Sequence, residues 1–234
     1  MTLKLNGATS GSVALDAPNA TTSGSDIVFK LPVADGSTGQ VIKTDGSGNL
    51  SFGAGGNPSS IQVIEQFFSL ADGSSFTTNQ GTITLADVTA AINLTTSFQD
   101  LPGTSITYTP PSGTTQVIYE VQFGLRSSND SAILGGHMML DGSIILDSRF
   151  GLRGSTNYSD MLYNFKFGIN IGGSTSTTTG RLASWTSGKV IKLQLNEYNS
   201  SAQWAANILG NYGAAGHQGV AMRPRVGITA IGTV

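Results

Sequence analysis

The sequence predicts an all-β protein: a short N-terminal β module that intertwines with other copies of itself, then a larger β-sandwich or jelly roll. Three observations predict this class. Charged residues make up only 11% of the 234 positions, against roughly 25% in an ordinary soluble domain, so the Lys- and Glu-rich surface of solvent-facing helices is missing. Apolar residues recur at period two in many short bursts. Between the bursts lie clusters of Gly, Ser, Thr, Asp and Asn, the residues of tight turns.

Richness in Gly, Ser and Thr also occurs in disordered chains, but those combine low hydrophobicity with high net charge. Here the apolar fraction is 38% and the net charge is −2. No cysteine is present, which excludes disulfides and thiolate metal sites and suits assembly in a reducing cytoplasm. The first residues, MTLKLNGATSG, lack the charged start and apolar run of a signal peptide. No apolar run approaches the ~18 residues of a membrane span. The dispersed Lys and Arg give no nucleic-acid footprint. Neither a membrane nor a nucleic acid is therefore an expected partner.

Three segments follow. Residues 1–53 form the N-terminal module, 54–60 a Gly/Ser linker (GAGGNPSS begins at Gly53), and 61–234 the C-terminal sandwich. In the module, Leu3/Leu5, Val13/Leu15, Ile27/Phe29/Leu31, Val41 and Leu50/Phe52 mark strands, with VIKTDGSGNLSF as a hairpin. About fifty residues with so few large apolar side chains bury too little to stand alone. The expectation is that three copies wrap their strands around a common axis.

In the sandwich the strand candidates are 61–68, 81–94, 105–109, 116–125, 132–140, 144–147, 161–171, 180–185, 190–198 and 225–231. In VIYEVQFGL, Val117, Tyr119, Val121, Phe123 and Leu125 share one face. In KVIKLQLNEY, Ile191, Leu193, Leu195 and Glu197 oppose Val190, Lys192, Gln194 and Asn196. DGS after Leu140 reads as a tight turn. TLADVTAAINL places Leu85, Val88 and Ile92 at helical spacing, but its Thr, Val and Ile favour strand. SSAQWAANILGNYGAAGHQG reads as a long loop with a short strand near 207–209.

No constellation for catalysis stands out. G-x-S-x-G, the phosphate-binding Gly-Lys loop and G-x-G-x-x-G are all missing. His137 and His217 have no second ligand at metal spacing. On a three-fold axis, one histidine per chain could build a three-nitrogen site; the plainer reading is a loop or interface histidine bonded to backbone. Asp45-Gly46-Ser47-Gly48-Asn49 superficially resembles a calcium loop, but Leu50 stands where the glycine of an EF-hand belongs, and a hairpin turn is the simpler reading. No catalytic residue, metal ligand or cofactor is therefore assigned. The candidate receptor contacts are aromatic residues in polar surroundings, which join apolar area to a polar rim: Trp204, Tyr212, Tyr158 and Trp185. Tyr198 belongs to the same group. Trp185 and Tyr198 end strand candidates, and for both the plainer reading is a side chain packed inward. Trp204, within NSSAQWAANI, is placed at a surface.

LKLNGATSGSVALDAP and DIVFKLPVADGSTGQVIKTDGSGNLSFG, covering Leu3 to Gly53, resemble modules of tail-fibre and other virion structural proteins of marine phages, cyanophages especially. SFQDLPGTSITYTPPSGTTQVIYEVQF, LDGS, TGRLASWTSGKVIKLQLNEY and RPRVGITAIG resemble the C-terminal heads of such proteins, which are similar to the jelly rolls of trimeric tumour-necrosis-factor-like proteins. The resemblance implies a non-enzymatic homotrimer on the phage particle. Its N-terminal module would contact other virion proteins, and its heads a host-surface glycan or protein. The resemblance does not separate a short tail fibre from a capsid decoration protein or head fibre. It brings no catalytic residues with it.

Overall fold

The computed structural model describes residues 3–6, 12–15, 21, 26–55, 61–128, 132–154, 159–199, 203–209 and 220–233. The chain divides into two compact units, Met1–Pro58 and Ser59–Val234.

The first unit holds two hairpins. β1 (Leu3–Asn6) pairs antiparallel with β2 (Ser12–Leu15), and β3 (Gln40–Thr44) with β4 (Leu50–Ala54). The β3–β4 turn is closed by Asp45. Its carboxylate accepts the Ser47 and Asn49 backbone N–H groups at 2.8 and 3.1 Å and the Asn49 side-chain amide at 2.6 Å. Those bonds, the Asn49 amide first, hold the Asp45 carboxyl below its usual range. Its oxygens are committed to the turn, as a hairpin reading requires. The Ile27–Leu31 run, expected as a strand, forms no ladder: it joins the hairpin at Lys30, which bridges Asn49 in parallel. The Lys30 N–H donates to Gly48 and the Leu50 N–H to Lys30, both at 2.8 Å.

The second unit is a sandwich of two antiparallel sheets. Its strands are β5 (Gln62–Leu70), β6 (Ser75–Thr78), β7 (Gly81–Thr84), β8 (Ile92–Asn93), β9 (Gln99–Asp100), β10 (Ile106–Tyr108), β11 (Thr114–Ser127), β12 (Ile133–Leu140), β13 (Ser143–Ile144), β14 (Phe150–Arg153), β15 (Ser159–Asn170), β16 (Lys189–Glu197), β17 (Trp204–Ala206), β18 (Ile208–Leu209), β19 (Val220–Ala221) and β20 (Arg225–Gly232). β5, β20, β11 and β15 form one sheet; β10, β16, β12 and β14 form the other. Numbered one to eight along the chain, these strands lie in the orders 1-8-3-6 and 2-7-4-5. The pairs β5–β20, β10–β16, β11–β15 and β12–β14 are the rungs of one long hairpin, bent after β12 and rolled up. This is the jelly-roll order.

Alternation along the strands builds the core between the sheets. Val117, Tyr119, Val121, Phe123 and Leu125 of β11 are fully buried. Ile191, Leu193 and Leu195 of β16 lie in the same core from the opposite sheet, and Val226, Ile228 and Ala230 of β20 from beside β11. The Tyr119 hydroxyl donates to the Thr104 carbonyl at 2.6 Å, and the Thr104 hydroxyl accepts the Leu193 N–H at 3.2 Å, so the buried phenol is satisfied. Burial raises its pKa far above the ordinary tyrosine value. Asp141 and Gly142 turn β12 into β13 with φ of 51° and 82°, the left-handed pair that a two-residue hairpin demands.

Three strand expectations of the second unit are corrected, the first at 144–147, where the strand ends at Ile144 and Leu146–Ser148 is a 3-10 turn. Residues 85–91 are neither strand nor helix. Leu85 and Val88 plug the core, and the Val88 N–H donates to the Ala71 carbonyl outside any ladder. Residues 180–185 hold only single bridges at Arg181 and Leu182, because Gly180 turns at φ 73° and Trp185 tucks inward, 4% exposed.

Candidate functional site

Strand order sorts the connections of the second unit onto two ends. β11 begins at Thr114 opposite Gly232, which also faces Gln62, where the chain enters. It finishes at Ser127 opposite Ser159 and Trp204. The far end, or tip, is therefore marked by Ser128 and Ala132, by Gly154 and Ser159, and by Asn199 and Gln203, and the β5–β10 connection leaves Leu70 on the same side. The basal end holds the β12–β13 turn and the long 171–188 connection.

Trp204 is not at a surface. It is fully buried, with its backbone N–H donating to Glu197 Oε2 at 2.8 Å and its carbonyl accepting the Leu94 N–H at 2.8 Å. Glu197 is the inward residue that ends β16, and it also accepts the Gln203 N–H at 2.9 Å. The carboxylate thus ties β17 to the core. Trp185 is also buried, its indole N–H donating to the Tyr108 carbonyl at 3.0 Å. It lines a groove of about 390 Å³ at the base with Pro110, Pro111 and Gln80. Tyr158, Tyr212 and His217 lie outside the described residues. Tyr198, by contrast, projects from the sheet and is 71% exposed. It continues the outward parity of Val190, Lys192, Gln194 and Asn196, a signal already present in KVIKLQLNEY.

Tyr198 heads a polar and aromatic face on the outside of the β10–β16–β12–β14 sheet. Its N–H donates to Ile133 across the strand pair. Further along, His137 lies opposite Gln194, with Phe98 over the imidazole at 4.2 Å between ring centroids. Asp100 accepts Lys192 Nζ and Gln194 Nε2, each at 2.7 Å. A carboxylate only accepts, so the Gln194 amide nitrogen must face Asp100 and its oxygen must face His137. His137 Nε2, 3.1 Å from that oxygen, therefore carries the proton. Burial tends to raise the Asp100 pKa, but the Lys192 and Gln194 bonds outweigh it and the net shift is downward. His137 is 1% exposed and engaged, so it is not presented to a shared metal. Among the described residues no group of three His, Cys, Asp or Glu could hold a metal ion.

Burial lowers the His137 pKa, the Gln194 bond opposes this, and Arg149 adds to it. Below the ordinary value of about 6.5, the unfolded chain binds a proton that the folded chain refuses. Stability is therefore lost as pH falls through that value and levels off below the folded pKa. Melting temperatures measured from pH 7.5 to 5.5 are expected to fall more steeply for the parent than for His137→Gln. Equal slopes would contradict the burial account.

The outer face of the other sheet is a ladder of matched polar pairs. Gln116 donates to Asn170 and Gln122 to Asn164, both at 2.9 Å, and Arg126 to Asp160 at 2.8 Å. Lys166 meets Glu120 at 3.3 Å. Each pair sits directly across β11 and β15, where cross-strand partners contribute modest stability.

No protein-family model matches the chain, and no curated protein matches it in sequence. Among solved structures it is similar to that of infectious bursal disease virus, Gt strain, at 11% identity and a TM-score of 0.32, covering 98% of this chain and 50% of that one. It is similar to the VP2 subviral particle of infectious bursal disease virus at 11% identity and a TM-score of 0.31, covering 79% of this chain and 43% of that one. It is also similar to the CBM36-1 domain of a multidomain xylanase from the hindgut metagenome of Trinervitermes trinervoides, at 13% identity and a TM-score of 0.26, covering 73% of this chain and 98% of that one. The chain spans half or less of the two viral chains. At TM-scores this low the likenesses carry no argument, and the jelly-roll assignment rests on the strand order.

Proposed function

We propose that this chain is a non-enzymatic structural protein of a bacteriophage particle, a short homotrimeric tail fibre whose jelly-roll heads bind the host cell surface. The supporting observation is the state of the first unit. Not one described side chain from Asp26 to Gly55 is buried. Ile27, Val28, Phe29, Leu31 and Val33 are 59% to 106% exposed, and Val41, Ile42 and Phe52 add 37% to 57%.

Eight such side chains, each leaving on the order of 100 Å² open, offer about the ~800 Å² per partner of a standard interface. A groove of about 600 Å³ also runs between Lys30–Ser37 and the β3–β4 hairpin. A soluble monomer rarely leaves this much apolar surface open, and further copies of the chain would fill it. The head, by contrast, has its own buried core.

On this reading, rigid strands carry tip connections and the Tyr198 face toward the cell. Three heads per fibre multiply weak contacts. Labelled full-length protein is expected to bind host cells saturably and to be displaced by intact particles. No binding, together with fragile capsids when the protein is deleted, would favour a capsid decoration protein instead.

A further inference from the structure

At the basal end of the head, a cleft of about 200 Å³ opens between the β12–β13 turn and residues 175–182. Both walls are fixed before any ligand arrives. The turn is held by the Asp141 N–H donating to Val190 at 2.7 Å and by Lys189 Nζ on Asp141 Oδ2 at 2.7 Å. The opposite wall is pinned by the Leu146 N–H on the Thr177 carbonyl and the Asp147 N–H on the Thr178 carbonyl, at 3.1 and 2.9 Å. The Ala183 N–H on Thr175 Oγ1 at 3.0 Å secures its far side. Preformed walls remove the ordering cost of binding.

The lining has three chemical parts. Leu140 and Ile145 are buried, and with half-buried Leu182 they give an apolar floor. Ser143, Thr175 and Thr177 bring hydroxyls to the rim. Lys189 is neutralised by Asp141, but Arg181 pairs with no carboxylate among the described residues. Arg181 Nη1 donates to the Gly172 carbonyl at 3.0 Å, which leaves most of its five donors for another acceptor. The rim therefore carries one uncompensated cation beside hydroxyls and a floor for C–H groups. The volume is below the ~300–1,000 Å³ of pockets for drug-sized ligands, and suits a single sugar ring.

We propose that this cleft binds one acidic monosaccharide unit of a surface polysaccharide, with the sugar carboxylate on the Arg181 guanidinium. The ring lies over Leu182 and the floor, and its hydroxyls meet Asp141 and the rim hydroxyls. Arginine is the residue suited to forked recognition of a carboxylate. The inference rests on the head's reading as a receptor-binding domain, and it names the chemistry of that receptor.

The test is a titration of the full-length protein with sodium glucuronate, glucose and sodium phosphate, followed by NMR and calorimetry. Glucuronate is expected to bind with a millimolar Kd, at least tenfold more tightly than glucose or phosphate. Arg181→Ala should weaken it tenfold or more. Ser143→Tyr, which fills the mouth from the opposite wall, should do the same, and both variants should melt like the parent. Equal affinity for glucose or phosphate would overturn the proposal, as would unchanged binding in both variants. No binding up to about 50 mM, some fiftyfold above a Kd of about 1 mM, would also overturn it. A trimer that binds cells with an empty cleft removes this inference alone. A monomer that ignores cells but takes up glucuronate removes the fibre reading and leaves the cleft.

Discussion

Exchanging Ile27, Phe29 and Leu31 together for aspartate is expected to turn a three-chain assembly into single chains. The three side chains follow one another at period two in the sequence, and they are 59%, 62% and 76% exposed in the lone chain. In the lone chain the carboxylates would stand in water, so folding of the monomer should change by less than about 0.5 kcal/mol per site. In an assembly they would enter an apolar seam without counter-ions, at a cost of several kcal/mol each. Light scattering reads the mass, and thermal melting checks that the head survives. A variant that keeps the parent mass would mean that this row is not the seam.

Trp204→Ala is expected to cost about 3–5 kcal/mol of head stability, a large part of the ~5–15 kcal/mol that holds a typical domain. Trp204 is fully buried. It sits where β17 takes over from β20 beside β11, opposite Ser127. Removing the indole leaves a cavity that a strand tied by Glu197 and Leu94 cannot close. Trp204→Phe is expected to cost far less. It keeps a ring in the cavity and removes the indole N–H, which has no hydrogen-bond partner among the described residues. Denaturant titration of both variants checks the order. A loss below about 1 kcal/mol for the alanine variant would contradict the burial of this side chain as its main role.

Much of the fold was legible in the sequence because a strand's faces are written at period two. The inward set of β11, from Val117 to Leu125, is buried as its alternation predicts. The Asp141-Gly142 pair announces its own turn. Parity also places Tyr198 outward, although the plainer reading of a tyrosine at a strand end is core. The polar Ser, Gln and Asn around Trp204 suggest a surface, yet the indole is buried, because they describe the neighbours of a short strand whereas depth is set by what crosses above it. Leu85 and Val88 are buried in irregular chain, where no period applies. The rolled order of the strands depends on pairings such as that of Phe67 with Ile228, which no local pattern encodes. The Arg181 cleft was hidden for the same reason: its two walls, at Asp141 and at Thr175 to Leu182, meet only when the roll closes.

The central claim is that the first unit is completed by other copies of the chain. Light scattering on the purified full-length protein, beside a version lacking residues 1–56, tests it most directly. The expected result is three times the chain mass for the full-length protein and a folded single chain for the shortened one. A full-length protein that stays a single chain at micromolar concentration would contradict the claim.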